Sequence, residues 1–190
     1  MHTFFRDKLG RFYKDSTCAV RVLAYLRNVY PYVLPTLDHV AFRSIGQEPP
    51  IDDRLRSFGF KDSMPLIFSS YADVESFNNV LQLRTSDNYI DWTLRWGDDI
   101  NHIALDLSHY PDELHTIMNR MSNDLGIAMN DDGRVQVSSD GLQGSTQAEL
   151  VGGSPKSFVE FIVRKIDPAT KKRRDGFDGM NANAIFESTS

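Results

Sequence analysis

Two five-residue strings constrain this chain more than anything else in it. Asp38-His39-Val40-Ala41-Phe42 and Asn101-His102-Ile103-Ala104-Leu105 share the order polar, His, β-branched, Ala, large apolar, and their histidines stand 63 residues apart. Strand side chains alternate between faces, so His39, Ala41 and Arg43 fall on one side and Val40 and Phe42 on the other. The second string repeats this, with His102, Ala104 and Asp106 facing one way and Ile103, Leu105 and Leu107 the other. A helix is expected after each string, which places the two matches at equivalent points of two βα units and points to an α+β duplication.

The flanking sequence is consistent with that plan. From Thr3 to Tyr30 the apolar residues recur at three-to-four spacing, which predicts two helices joined at Asp15-Ser16-Thr17, with Ser16 or Thr17 as N-cap. Pro31 and Pro35 end this unit. Strands are expected over Leu37–Ile45, Met64–Ser69, Asn101–Leu107, Gly133–Val137, Gln147–Val151 and Ser157–Arg164, with a further candidate at Val80–Arg84. Helices are expected over Ile51–Phe58, Asp87–Trp96, Pro111–Leu125 and Asn181–Phe186. The resulting division of a single domain is an N-terminal helical segment over 1–36, a first module over 37–99, a second over 100–166 and a tail over 167–190.

Composition narrows the function. At 190 residues and 41% hydrophobic the chain can build a well-packed core. A net charge of −5 argues against broad binding to nucleic acid or anionic membrane, and acidic residues flank the one basic run, Lys171 to Arg174. No stretch approaches the roughly 18 apolar residues of a membrane span. Cys18 is the only cysteine, so an intrachain disulfide and a cysteine-based zinc site are both excluded. With no secretory signal pattern at the first residues, a cytoplasmic location is expected. Gly-rich phosphate loops, nucleophile elbows and zincin helices are absent.

The chemistry concentrates on three residues. Glu160 interrupts Phe158-Val159-Glu160-Phe161-Ile162-Val163, a strand otherwise apolar on both faces, where an ionised carboxylate is costly without a cation or several donors. With His39 and His102 it completes a two-histidine, one-carboxylate set, which leaves positions open for substrate and oxygen on Fe(II). Ala41 and Ala104 leave room beside the histidines. Arg43 has two readings, a bidentate clamp for a substrate carboxylate or an ion-pair partner of Glu160 or Asp106. Gln143, Ser145 and Gln147 are candidates for polar positions around the ligands, or they satisfy neighbouring backbone groups. His2, His109 and His115 lack this context and are expected to be exposed.

These residues carry a resemblance to a known family. Asp38 to Ser44, Ile100 to Ala104, Leu142 to Ala148, Phe158 to Ile162, Arg173 to Phe177 and Asn181 to Thr189 run in the order found in the 2-oxoadipate dioxygenase/decarboxylase (hydroxyglutarate synthase) family. That family lies within the vicinal oxygen chelate, or glyoxalase-like, superfamily. The resemblance implies paired βαβββ-type modules around a metal cup, and a mononuclear Fe(II) held by His39, His102 and Glu160. It also implies that Arg43 binds substrate, and that a 2-oxo acid is decarboxylated and hydroxylated with O2 to a 2-hydroxy acid one carbon shorter. The chain departs from the family pattern in a shorter stretch between Gly46 and Asp87 and in Gly144, where a serine is expected. Two other outcomes fit the same residues: an isomerase or lyase of this superfamily using a different divalent ion, and a metal-free small-molecule binder.

Overall fold

The computed structural model describes residues 2–31, 36–43, 61–64, 67–71, 99–110, 112–137, 141–151 and 154–171. The expected helices at 51–58, 87–96 and 181–186 and the candidate strand at 80–84 lie outside these residues.

Two helices open the chain, α1 (His2–Asp15) and α2 (Thr17–Val29), as the apolar spacing predicts. Ser16 is the N-cap of α2, its Oγ accepting from the Ala19 amide at 3.0 Å. The same hydroxyl donates to the Glu149 carboxylate, which also accepts from the Cys18 amide at 3.0 Å. A carboxylate at this helix start answers amides that have no partner within the helix. A further described helix, α3 (Leu114–Leu125), begins three residues later than expected and ends at Gly126, whose φ of 62° is the left-handed conformation glycine adopts at low cost.

The strands are β1 (Thr36–Arg43), β2 (Lys61–Met64), β3 (Ile67–Tyr71), β4 (Asp99–Asp106), β5 (Gln136–Val137), β6 (Gly141–Ser145), β7 (Glu149–Val151) and β8 (Ser154–Arg164). Seven run side by side in the order β2-β3-β1-β4-β8-β6-β5, and β7 pairs with β8. β4 and β8 are parallel, and the other pairings are antiparallel. The architecture is mixed α+β.

One sheet face builds the core. Leu37 and Val40 from β1, Ile100, Ile103 and Leu105 from β4, and Val159 and Phe161 from β8 pack with Val22 and Leu26 of α2 and Ile117, Met118 and Met121 of α3. The other face carries His39, Ala41, His102, Ala104, Phe158 and Glu160, so the alternation read from the sequence sorts residues correctly. Gly144 belongs to the helical side. A Cβ there would stand 2.3 Å from Met118 Sδ, so this position is glycine because α3 packs closely over β6, and its missing hydroxyl takes nothing from the opposite face.

Pairing between β1 and β4 contains two irregularities with direct bearing on function. His39 lies opposite Ala104, Val40 opposite Ile103 and Ala41 opposite His102, an arrangement that exchanges onto itself when the two pentapeptides are swapped. On either side the register shifts by one, and the extra residue is Asp38 in β1 and Asn101 in β4. These are β-bulges at equivalent positions of the two matched strings. Leu37 and Val40 both face the helices, as do Ile100 and Ile103, so each bulge presents two consecutive residues to the opposite face where a regular strand presents one.

Candidate metal centre

The bulges decide how the histidines are held. Asp38 and His39 lie on the same face, and His39 Nδ1 donates to Asp38 Oδ2 at 2.8 Å. Asn101 does the same for its neighbour, its Oδ1 accepting from His102 Nδ1 at 2.6 Å. Fixing both Nδ1–H groups turns both Nε2 atoms toward one point. They are 3.0 Å apart, and Glu160 Oε2 sits 3.3 Å from the first and 3.1 Å from the second. All three residues are buried.

This donor set fits a metal ion. With both imidazoles neutral and each Nδ1 donating outward, two nitrogen lone pairs and a carboxylate oxygen would converge on one point, a donor set that suits a cation. Neighbouring donors about 2.1 Å from a common centre lie about 3.0 Å apart in octahedral and about 3.4 Å apart in tetrahedral geometry. The observed triangle falls in that interval, so His39, His102 and Glu160 could hold a metal ion.

Wall and support residues complete the site. Phe158 stacks on the His102 ring at 4.7 Å between centroids, and the two imidazoles meet edge to face. Ala41 and Ala104 are small and buried, and each lies directly across the β1–β4 ladder from a histidine. Ser145 stands opposite Glu160 in the β6–β8 register, and its Oγ accepts from Asn130 Nδ2 at 2.8 Å. Asn130 also donates to the Thr146 carbonyl at 2.7 Å and opens a turn in which Asp131, Asp132 and Gly133 all have positive φ, so a strained segment fixes this contact. Gln143 is buried and Gln147 is exposed, which separates two residues the sequence treats alike. Arg43 ends β1, and its side chain lies outside the described residues; so does that of His2. His109 and His115 are exposed.

Arg164 is a residue that sequence reasoning passes over. It reaches from β8 across β4 to Asp38, with Nη2 2.6 Å from Oδ2 and Nε 3.1 Å from Oδ1. Asp38 and Asn101 were visible only as the polar residue that opens each matched string.

The charges of the metal-free site are coupled. Burial alone would raise the Asp38 and Glu160 carboxyls, but bonds from His39 and Arg164 to the first, and from His102 and His39 to the second, hold both well below the usual carboxylate range. Burial alone would lower His39, but its bonds to Asp38 and Glu160 raise it. The depressed carboxylates contribute stability above an unfolded value of about 4, lost as pH falls through their folded values. The raised His39 contributes stability below about 6.5, lost as pH climbs through its folded value. Thermal unfolding of metal-free protein is therefore expected to peak between about pH 4 and 6.5. A bound metal must displace the His39 proton, so its dissociation constant should fall about tenfold per pH unit while that proton is present, as metal titrations at stepped pH would read.

A mixed α+β sheet whose inner face carries a buried His-His-Glu group defines a protein able to hold a metal ion between strands. In sequence, the chain is related to curated 2-oxoadipate dioxygenase/decarboxylases. It is 33% identical over 132 residues to the chloroplastic/amyloplastic protein of Oryza sativa subsp. japonica, and likewise to the chloroplastic protein of Arabidopsis thaliana. Each match takes in 57% of this chain and 36% of the relative, so the chain matches little more than a third of the relatives' length. No family model matches. The fold is shared with the crystal structure of a "putative hydrolase" from Shewanella frigidimarina NCIMB 400, at a TM-score of 0.59 and 15% identity over 92% of this chain and 96% of that one. Among the described residues no helix is long and apolar enough to cross a membrane.

Proposed function

We propose that this chain is an Fe(II)-dependent oxygenase that converts a small 2-oxo acid, of the 2-oxoadipate type, to the 2-hydroxy acid one carbon shorter. The observation that carries this reading is the convergence of His39 Nε2, His102 Nε2 and Glu160 Oε2 within 3.3 Å of one another. The names of the related curated proteins support the reaction type. In the balanced reaction one O2 is consumed, the bond between the carboxyl and keto carbons breaks to release CO2, and the former keto carbon becomes the new carboxyl. The second oxygen atom enters the adjacent C–H bond as hydroxyl.

When bound, Fe(II) would supply the open positions at which an oxo acid and O2 meet and the electrons that activate oxygen. The chain's own residues set the geometry around it. His39 and His102, each tethered through Nδ1, present lone pairs from adjacent strands, and Glu160 adds the negative charge from β8. Phe158, Ala41 and Ala104 give an apolar wall that keeps bulk water from the reacting carbons. Arg43, at the end of β1, is the residue proposed to bind a substrate carboxylate. Gln143 and Ser145 are proposed to support the ligands from β6, whereas Gln147 is exposed. The self-exchanging β1–β4 register supports a glyoxalase-like fold of two modules, over 37–99 and 100–166, meeting at the metal.

The test is anaerobic reconstitution with Fe(II), followed by oxygen uptake with a panel of 2-oxo acids. Uptake that depends on substrate, with one CO2 released per O2, is the expected result. Stoichiometric metal binding without uptake would favour an isomerase or lyase, and absence of metal binding would leave a small-molecule binder.

A further inference from the structure

We propose that Arg164 is a positioning residue for the metal centre, acting through Asp38 to hold the His39 ring, and that the two histidines are thereby made unequal ligands. This rests on the metal-binding reading above. The bulge at Asp38 delivers a carboxylate to His39 Nδ1, whereas the equivalent bulge at Asn101 delivers a neutral amide to His102 Nδ1. A carboxylate draws the Nδ1 proton more strongly and makes Nε2 the better electron donor. Arg164 then moderates that effect, because Asp38 Oδ2, the oxygen that holds His39 at 2.8 Å, also takes Arg164 Nη2 at 2.6 Å.

A purely structural purpose does not account for this arrangement. Asp38 is 0% exposed and Arg164 3%. Ion pairs removed from water to that degree are commonly no more stabilising than apolar side chains of similar volume. Their geometry, in contrast, is specific. Arg164 Nε and Nη2 meet the two oxygens of one carboxylate, and the Arg164 amide is tied to Ser108 Oγ at 3.0 Å, which itself donates to Asp106. The fork can only be met by a carboxylate held in one orientation, which is the orientation that bonds Nδ1. Among the described residues no comparable cation reaches Asn101, and its buried Nδ2 has no hydrogen-bond partner among them.

The experiment uses the full chain, wild type and Arg164→Gln, Arg164→Lys and the double variant Asp38→Asn/Arg164→Gln, with two readouts. Co(II) affinity is measured by chelator competition, together with the Co(II) absorption spectrum. Separately, the slowly exchanging downfield Nδ1 proton of His39 is followed by NMR in 15N-labelled metal-free protein. Arg164→Gln is expected to weaken Co(II) binding about 10- to 100-fold, to alter the spectrum and to speed exchange of that proton. Arg164→Lys, which keeps the charge and loses the fork, should fall between. The double variant removes the buried charge from both partners, so it remains a valid test if Arg164→Gln does not fold, and it too should lose affinity, with a His39 Nδ1 proton that exchanges faster than in wild type because only a neutral amide holds it. Unchanged affinity, spectrum and Nδ1 protection in folded variants would overturn the proposal. Protection that depends on Arg164 in a wild type that binds no Co(II) would uphold the positioning of His39 and sink the metal reading instead.

Discussion

Replacing His102 with alanine is expected to abolish tight divalent metal binding and, with it, all metal-dependent thermal stabilisation. A ligand that binds only the folded state at 100 times its dissociation constant stabilises by about 2.7 kcal/mol. For a domain of this size that corresponds to roughly 5 to 11 °C in melting temperature. His102→Ala leaves one nitrogen and one carboxylate oxygen, too few to hold an ion against water. The metal-free variant should nevertheless fold, because the ring lies on the sheet face opposite the helical core and His39 remains to answer the Glu160 carboxylate. Scanning calorimetry of both proteins with and without Co(II) or Zn(II) checks this. A variant that keeps the full metal-induced shift would remove His102 from the ligand set.

The second large effect falls on stability itself. Asp38→Ala should destabilise metal-free protein by about 3–5 kcal/mol, the cost of removing one partner of a buried ion pair and leaving the other charge uncompensated. Its carboxylate answers two groups at once, the Arg164 guanidinium and the His39 Nδ1–H, and both are buried. Denaturant titration reads this directly. A loss below about 1 kcal/mol would mean that other groups or water take over both contacts. Asn101→Ala should cost less, since it exposes no charge.

Much of this arrangement is legible in the sequence, and for a physical reason. Strand alternation is local, so the side of the sheet that receives His39, Ala41, His102 and Ala104 follows from counting by twos, and Glu160 stands out because its neighbours on both faces are apolar. The Ser16 cap is equally local. The bulges are not, because a pairing shift depends on the partner strand, and nothing within Leu37-Asp38-His39 distinguishes a bulged from a regular run. Arg164 reads as a charge at the end of a strand, where water is the default partner, and its burial depends on a long reach across β4. β6 escapes notice because Gly141 and Gly144 have low strand propensity, and its pairing with β8 overrides that preference. Gly144 reads in the sequence as a missing hydroxyl, whereas Met118 of α3 lies against it in the fold.

Parity gives the paired bulges a consequence for protein design. Leu37 and Ile100 already face the helices and His39 and His102 already face away, so strands lacking Asp38 and Asn101 would still alternate without fault. The two residues are therefore supernumerary to the strand pairing; they supply acceptors to the histidines and, at Asp38, the carboxylate that meets Arg164. An ordinary antiparallel ribbon with histidines two rungs apart could be given tethered imidazoles by inserting one acceptor residue ahead of each, with no change to the inside-outside pattern of either strand.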